Sequence, residues 1–133
     1  MCILVISDFD GGQNQEDLAE VAVRIRDRID EARQSGRAIA YIQSAHGPGL
    51  TGLGVRIRRY DPVFRTSGPV FQLPSALIDF IVDSAPAQIS LVGVAEKRVF
   101  ERLRKMFAKT GFFTRLDPLA IMNVSLPARD QMG

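Results

Sequence analysis

The run Ile3-Leu4-Val5-Ile6 has no polar residue to alternate with its apolar ones. A strand with one face in water alternates at period two. An unbroken run therefore predicts a strand covered on both faces, in the middle of a sheet. Such strands belong to parallel sheets, whose neighbours are joined by long crossovers that are usually helical. The next segment supplies one. From Asn14 to Ser35, the residues Leu18, Val21, Ala22, Ile25, Ile29 and Ala32 recur at helical spacing, with charged residues mostly on the other face. That pattern predicts an amphipathic helix, and Gly36 stands where a C-terminal cap belongs. Residues 38–42 predict a second buried strand.

The alternation continues. Residues 44–68 carry Gly47-Pro48-Gly49, Gly52, Gly54 and several arginines with little periodicity, which predicts a long excursion with a short extended piece at 63–65. Residues 73–82 predict a helix with Leu77, Ile78 and Ile81 inward and Pro74 in its first turn. Residues 88–92 predict a third strand. Residues 96–110 predict a helix that packs Val99, Phe100, Leu103, Met106 and Phe107 and is capped by Gly111. Residues 112–115 and 121–125 are shorter extended candidates. The expected fold is a three-layer α/β/α domain over residues 1–126 with a mostly parallel central sheet, followed by a loose tail at 127–133.

Composition excludes some classes of function. Cys2 is the single cysteine, so no intramolecular disulfide framework is available and a reducing compartment is expected. The lone histidine, His46, excludes a His–His metal site within the chain. No stretch approaches a membrane span, which leaves a cytoplasmic protein as the expectation. A net charge of +2 does not argue for nucleic acid or membrane, although Arg56, Arg58, Arg59 and Arg65 gather in the middle and Arg98, Arg102, Arg104, Lys105 and Lys109 later. Without interleaved aromatic residues these clusters read as solvated surface, and nucleic acid is not an expected partner.

In open α/β sheets, ligands gather where strand carboxyl ends meet helix amino ends. Asp8 and Asp10 close the first strand, where a carboxylate serves as general base, metal ligand or nucleophile, or merely satisfies turn donors. Arg65 is a cation that could face the same sheet edge as Asp8, or a solvated loop arginine. Ser44, His46, Glu96 and Lys97 stand just past strand ends and complete the candidate ligand contacts. Val99 belongs to an apolar helix stripe and offers no nucleophilic chemistry.

Taken together, these segments resemble the isochorismatase-like cysteine hydrolases, a superfamily that includes nicotinamidases and N-carbamoyl-amide hydrolases. The resemblance lies in Ile3-Leu4-Val5-Ile6-Ser7-Asp8-Phe9, in Ala32-Arg33-Gln34-Ser35-Gly36-Arg37, in Val63-Phe64-Arg65-Thr66-Ser67, and in Leu91-Val92-Gly93-Val94-Ala95-Glu96-Lys97-Arg98-Val99-Phe100. It implies that the family's aspartate falls on Asp8, with Asp10 as a register alternative, its lysine on Arg65 and its cysteine nucleophile on Val99. A valine there removes thiolate attack on a carbonyl carbon. Arg65 keeps a cation but not easy proton transfer. The metal-binding histidines of the nicotinamidase branch have no counterparts, so the reading has no cofactor. The resemblance thus implies the fold without the family's reaction, in a binding or assembly protein that forms homo-oligomers.

Asp8-Phe9-Asp10-Gly11 also resembles the first motif of haloacid dehalogenase-like phosphatases. That alternative implies Asp8 as nucleophile, Asp10 as general acid/base and Mg²⁺ as cofactor, with Ser44 for the second motif and Lys97 or Lys105 for the third. Gly12 stands where that motif has Thr or Val.

Overall fold

The structure, a computed structural model, describes residues 2–10, 13–44, 47, 49–66, 75–84 and 88–124. The unalternating run forms β1 (Cys2–Ser7), followed by α1 (Gln15–Gln34), β2 (Ala38–Ser44), β3 (Val63–Thr66), α2 (Ser75–Ser84), β4 (Gln88–Ala95), α3 (Lys97–Lys109) and β5 (Phe113–Asn123). The sheet order is β3-β2-β1-β4-β5, and all four pairings are parallel. Every residue of β1 is buried, as its sequence requires.

The two faces of the sheet bury different side chains. Ile3, Val5, Tyr41, Val92 and Val94 pack under α1 with Leu18, Val21, Ile25 and Ile29. Leu4, Ile6, Ile42, Leu91 and Ala95 pack under α2 and α3 with Leu77, Ile81, Val99, Phe100, Leu103 and Phe107. The alternation of Cβ along each strand makes this division.

Local chemistry sets the helix ends. The Asn14 side-chain oxygen accepts from the Glu16 and Asp17 amides at 2.9 and 3.1 Å, capping α1. At its far end the Gly36 amide donates to Arg33 O and the Arg37 amide to Ala32 O, a Schellman arrangement. The amides of Gly111 and Phe112 repeat it on Ala108 O and Phe107 O at the end of α3. Both expected glycine caps are present. α2 runs to Ser84 rather than stopping at Val82. Among the described residues no helix is long and apolar enough to cross a membrane.

Two elements differ from the sequence reading. The glycine-rich excursion contains a 3₁₀ turn at Gly49–Leu53 whose Leu50 and Leu53 are wholly buried. Gln43 holds it, its side-chain oxygen accepting from the Leu50 amide, while Arg26 donates to Leu53 O at 2.7 Å. The two short extended candidates near the end form one strand, β5. Its register advances from Leu116 to Ile121 while β4 advances only from Leu91 to Gly93, so the chain between bulges out of the ladder. Pro118 lies in that bulge on an edge strand, where its missing donor costs nothing. Arg28 of α1 pins the bulge by donating to Asp117 at 2.7 Å. Residues 127–133, expected as a tail, lie outside the described residues.

Candidate functional site at the carboxyl ends of the strands

Strand order reverses direction at β1, whose neighbours β2 and β4 lead to opposite halves of the sheet. The carboxyl ends of β1 and β4 therefore mark the topological switch point, the favoured ligand position of open α/β sheets. Asp8 follows β1 there and is fully buried, its amide donating to Val94 O at 2.8 Å.

The register brings further residues level with Asp8. Ser7 pairs with Gln43 on one side and with Val94 on the other, so the next step sets Asp8 beside Ser44 and Ala95. Ser44 in turn pairs with Thr66, and Ala95 with Asn123. A single row thus crosses the end of the sheet: Thr66, Ser44, Asp8, Ala95, Asn123. By alternation from Phe64, Ile42, Ile6 and Ile121 this row belongs to the face covered by α2 and α3. Thr66, Ser44 and Asp8 are buried, and adjacent strands stand ~4.8 Å apart, so two hydroxyls and a carboxylate occupy about 10 Å.

Arg65 reaches the same end of the sheet but not the same face. It shares the side of Val63, under α1, and is exposed, whereas Thr66 takes the place beside Ser44. Asp8 and Arg65 are therefore not brought together by the strands that carry them. Thr66 is the residue the sequence reading missed. The signal was the pairing of Phe64 with Thr66 on one side of the strand and Val63 with Arg65 on the other.

Glu96 is buried and ion-paired with Arg98 at 3.2 Å, while its carbonyl accepts from the Val99 amide at the start of α3. Lys97 is exposed. Asp10 is exposed and accepts from Gln13 Nε2 at 2.8 Å, so the two carboxylates of the Asp-x-Asp pair occupy different environments. Among the described residues no three His, Cys, Asp or Glu side chains converge on a metal position. His46 lies outside the described residues. Its neighbour Gly47 is pressed against β1's end: a Cβ there would meet Phe9 O at 1.8 Å. Gly47 thus lies directly against the Phe9–Asp10 backbone.

Val99 is 2% exposed and packs in the apolar layer with Leu77, Ile81 and Phe100. The chain's thiol is elsewhere. Cys2 begins β1 at the opposite end of the sheet, about 20 Å from Asp8 at ~3.3 Å per residue. Burial, partly offset by the N-terminal charge, pushes its thiol up to about 11. The row at the strand ends can accept and donate hydrogen bonds to a small polar molecule. It contains no sulfur nucleophile.

No family model matches the sequence, and no curated protein matches it significantly. Solved structures do resemble it. N-carbamoylsarcosine amidase from Thermoplasma acidophilum superimposes with a TM-score of 0.73 at 14% identity, over 98% of this chain and 88% of that one. An isochorismatase family protein gives 0.71 at 17% identity, over 95% and 83%. Another, from Burkholderia thailandensis, gives 0.66 at 14% identity, over 97% and 83%. The chain has an isochorismatase-like fold.

Proposed function

We propose that this isochorismatase-like domain does not perform thiol-based hydrolysis and works as a binding or assembly protein. The observation that carries the reading is the position of sulfur in the molecule. Cys2, the chain's single cysteine, is buried at the wrong end of the sheet, and the helix-start position that the resemblance gives to the nucleophile is Val99, inside an apolar layer. Neither side chain can present a thiolate to a carbonyl carbon held near Asp8.

Several features support binding. Asp8, Ser44 and Thr66 keep polar chemistry at the switch point although the nucleophile is gone. Self-association is part of the reading. It is supported by β5, an edge strand of eleven residues that exposes Phe113 and Leu119.

Purified protein incubated with a panel of N-carbamoyl amides, primary amides and aryl esters should release no product above buffer, before or after thiol alkylation. Turnover that is lost in Asp8→Ala would overturn the reading. Magnesium-dependent release from an aryl phosphate, lost in Asp8→Asn, would replace it with the phosphatase alternative.

A further inference from the structure

The chain-wide charge of +2 conceals a strong segregation. α3 carries Lys97, Arg98, Arg102, Arg104, Lys105 and Lys109 against Glu101 alone, a net +5 in thirteen residues, so the remainder of the chain carries a net −3. The apolar side of α3, built on Val99, Phe100, Leu103 and Phe107, is spent on the sheet, and all six cations lie on the exposed side.

Four of them are in line. Arg98, Arg102, Lys105 and Lys109 follow the four-three-four spacing that keeps side chains on one strip of a helix. The strip is about 16 Å long at 1.5 Å per residue. These four, with Glu101 and the half-buried Met106, line a shallow groove of about 450 Å³. Carboxylates temper the strip, among them Glu96, paired with Arg98 at 3.2 Å, and Glu101 in the groove wall.

We propose that the outer face of α3 is a docking strip for the phosphodiester backbone of double-stranded nucleic acid, independent of the site at the strand ends. The complement of a straight row of cations is a polyanion charged at every repeat, and a backbone is recognised by charge alone. An acidic protein partner fits less well. Protein interfaces are built around an apolar core, and the strip offers only the edge of Met106. With no exposed aromatic on α3, stacking of single-stranded bases has no platform, which restricts the ligand to a duplex.

The test is fluorescence anisotropy with labelled 20-base-pair DNA and RNA duplexes of mixed sequence, titrated at several salt concentrations. Three to four phosphate contacts give a slope of log K against log salt of about −3 to −4, a loss of about 100-fold between 50 and 200 mM. Lys105→Glu/Lys109→Glu should weaken binding at least tenfold and flatten the slope to about −2. Arg56→Glu/Arg58→Glu makes the same change in net charge on the opposite side of the sheet, at exposed positions, and should leave affinity within about threefold. Circular dichroism of both variants verifies the fold. The DNA and RNA arms identify which duplex is preferred. The proposal is overturned by absence of binding at 50 mM salt, by a slope shallower than −1, or by equal losses in the two variants. It is also overturned if poly-glutamate competes as well as duplex at equal charge, which would assign the strip to an acidic protein.

Discussion

Gly93→Ala probes how closely β1 and β4 approach at the switch point. Gly93 has φ +137°, and a Cβ on it would stand 2.0 Å from the Ile6 carbonyl oxygen and 2.7 Å from the Ile6 nitrogen. Both are backbone atoms of the central strand, so no rotamer change relieves the contact. Restoring even a tight separation of 3.0 Å requires the strands to part by about 1 Å. A ladder bond of ~2.9 Å then stretches to ~3.9 Å and is lost. Two buried backbone groups left unsatisfied cost about 1–3 kcal/mol each, and the forbidden φ adds about 1–3 kcal/mol. The expected loss is about 3–9 kcal/mol, a large part of a typical domain's stability. Gly36→Ala is the control. Its φ is +66° and a Cβ would meet nothing within 4 Å, so only the left-handed conformation is penalised, at about 1 kcal/mol. Urea unfolding followed by far-UV circular dichroism measures both. Failure of Gly93→Ala to accumulate as soluble protein while Gly36→Ala does agrees with the argument. A Gly93→Ala variant within about 1 kcal/mol of Gly36→Ala would refute it.

Two further measurements address the paired charges and the thiol. Asp61 is partly desolvated, which raises its carboxyl, but the Arg33 guanidinium bonded to it at 2.6 Å and the Arg58 amide outweigh this and hold it below the usual carboxylate range. A carboxyl depressed in the folded state stabilises above the unfolded value of about 3.9, and the contribution disappears as pH falls through the folded value. Asp61→Asn should therefore cost about 2 kcal/mol at pH 7 and progressively less below pH 4. An unchanged deficit at pH 3 contradicts the assignment. Cys2 should resist a disulfide-exchange reagent at pH 8 in the folded protein and react fully in denaturant. The thiol introduced by Val99→Cys should behave in the same way, and rapid labelling of either in the native state would place it in an open pocket.

Much of the fold could be read from residue order. The apolar run of β1, the α1 stripe and the caps at Gly36 and Gly111 are all local patterns, and each is where the spacing puts it. Local patterns could not reveal the turn at Gly49–Leu53, because one turn is too short for periodicity and its reason is the distant Gln43 and Arg26. Nor could they join β5 across Pro118, since the bulge is held by Arg28 from far along the chain. The site suffers most from this limit. Asp8 at a strand end was visible, but its neighbours are chosen by register, and in β3 a shift of one residue exchanges Arg65 for Thr66. The charge of α3 was visible in the sequence too, but its alignment into one strip depends on which face of the helix the sheet covers.

β1 is the earliest of the five strands in chain order and the central one in space. During synthesis it can pair with β2 as soon as Ser44 emerges, but its other edge waits for β4, which ends at Ala95. At ~5–20 residues per second that interval is roughly 3–10 s. For those seconds the most apolar strand of the protein presents an unpaired edge on the ribosome, a ready template for aggregation. Chaperone dependence should therefore concentrate in nascent chains that end between β2 and β4, and lapse once β4 has docked.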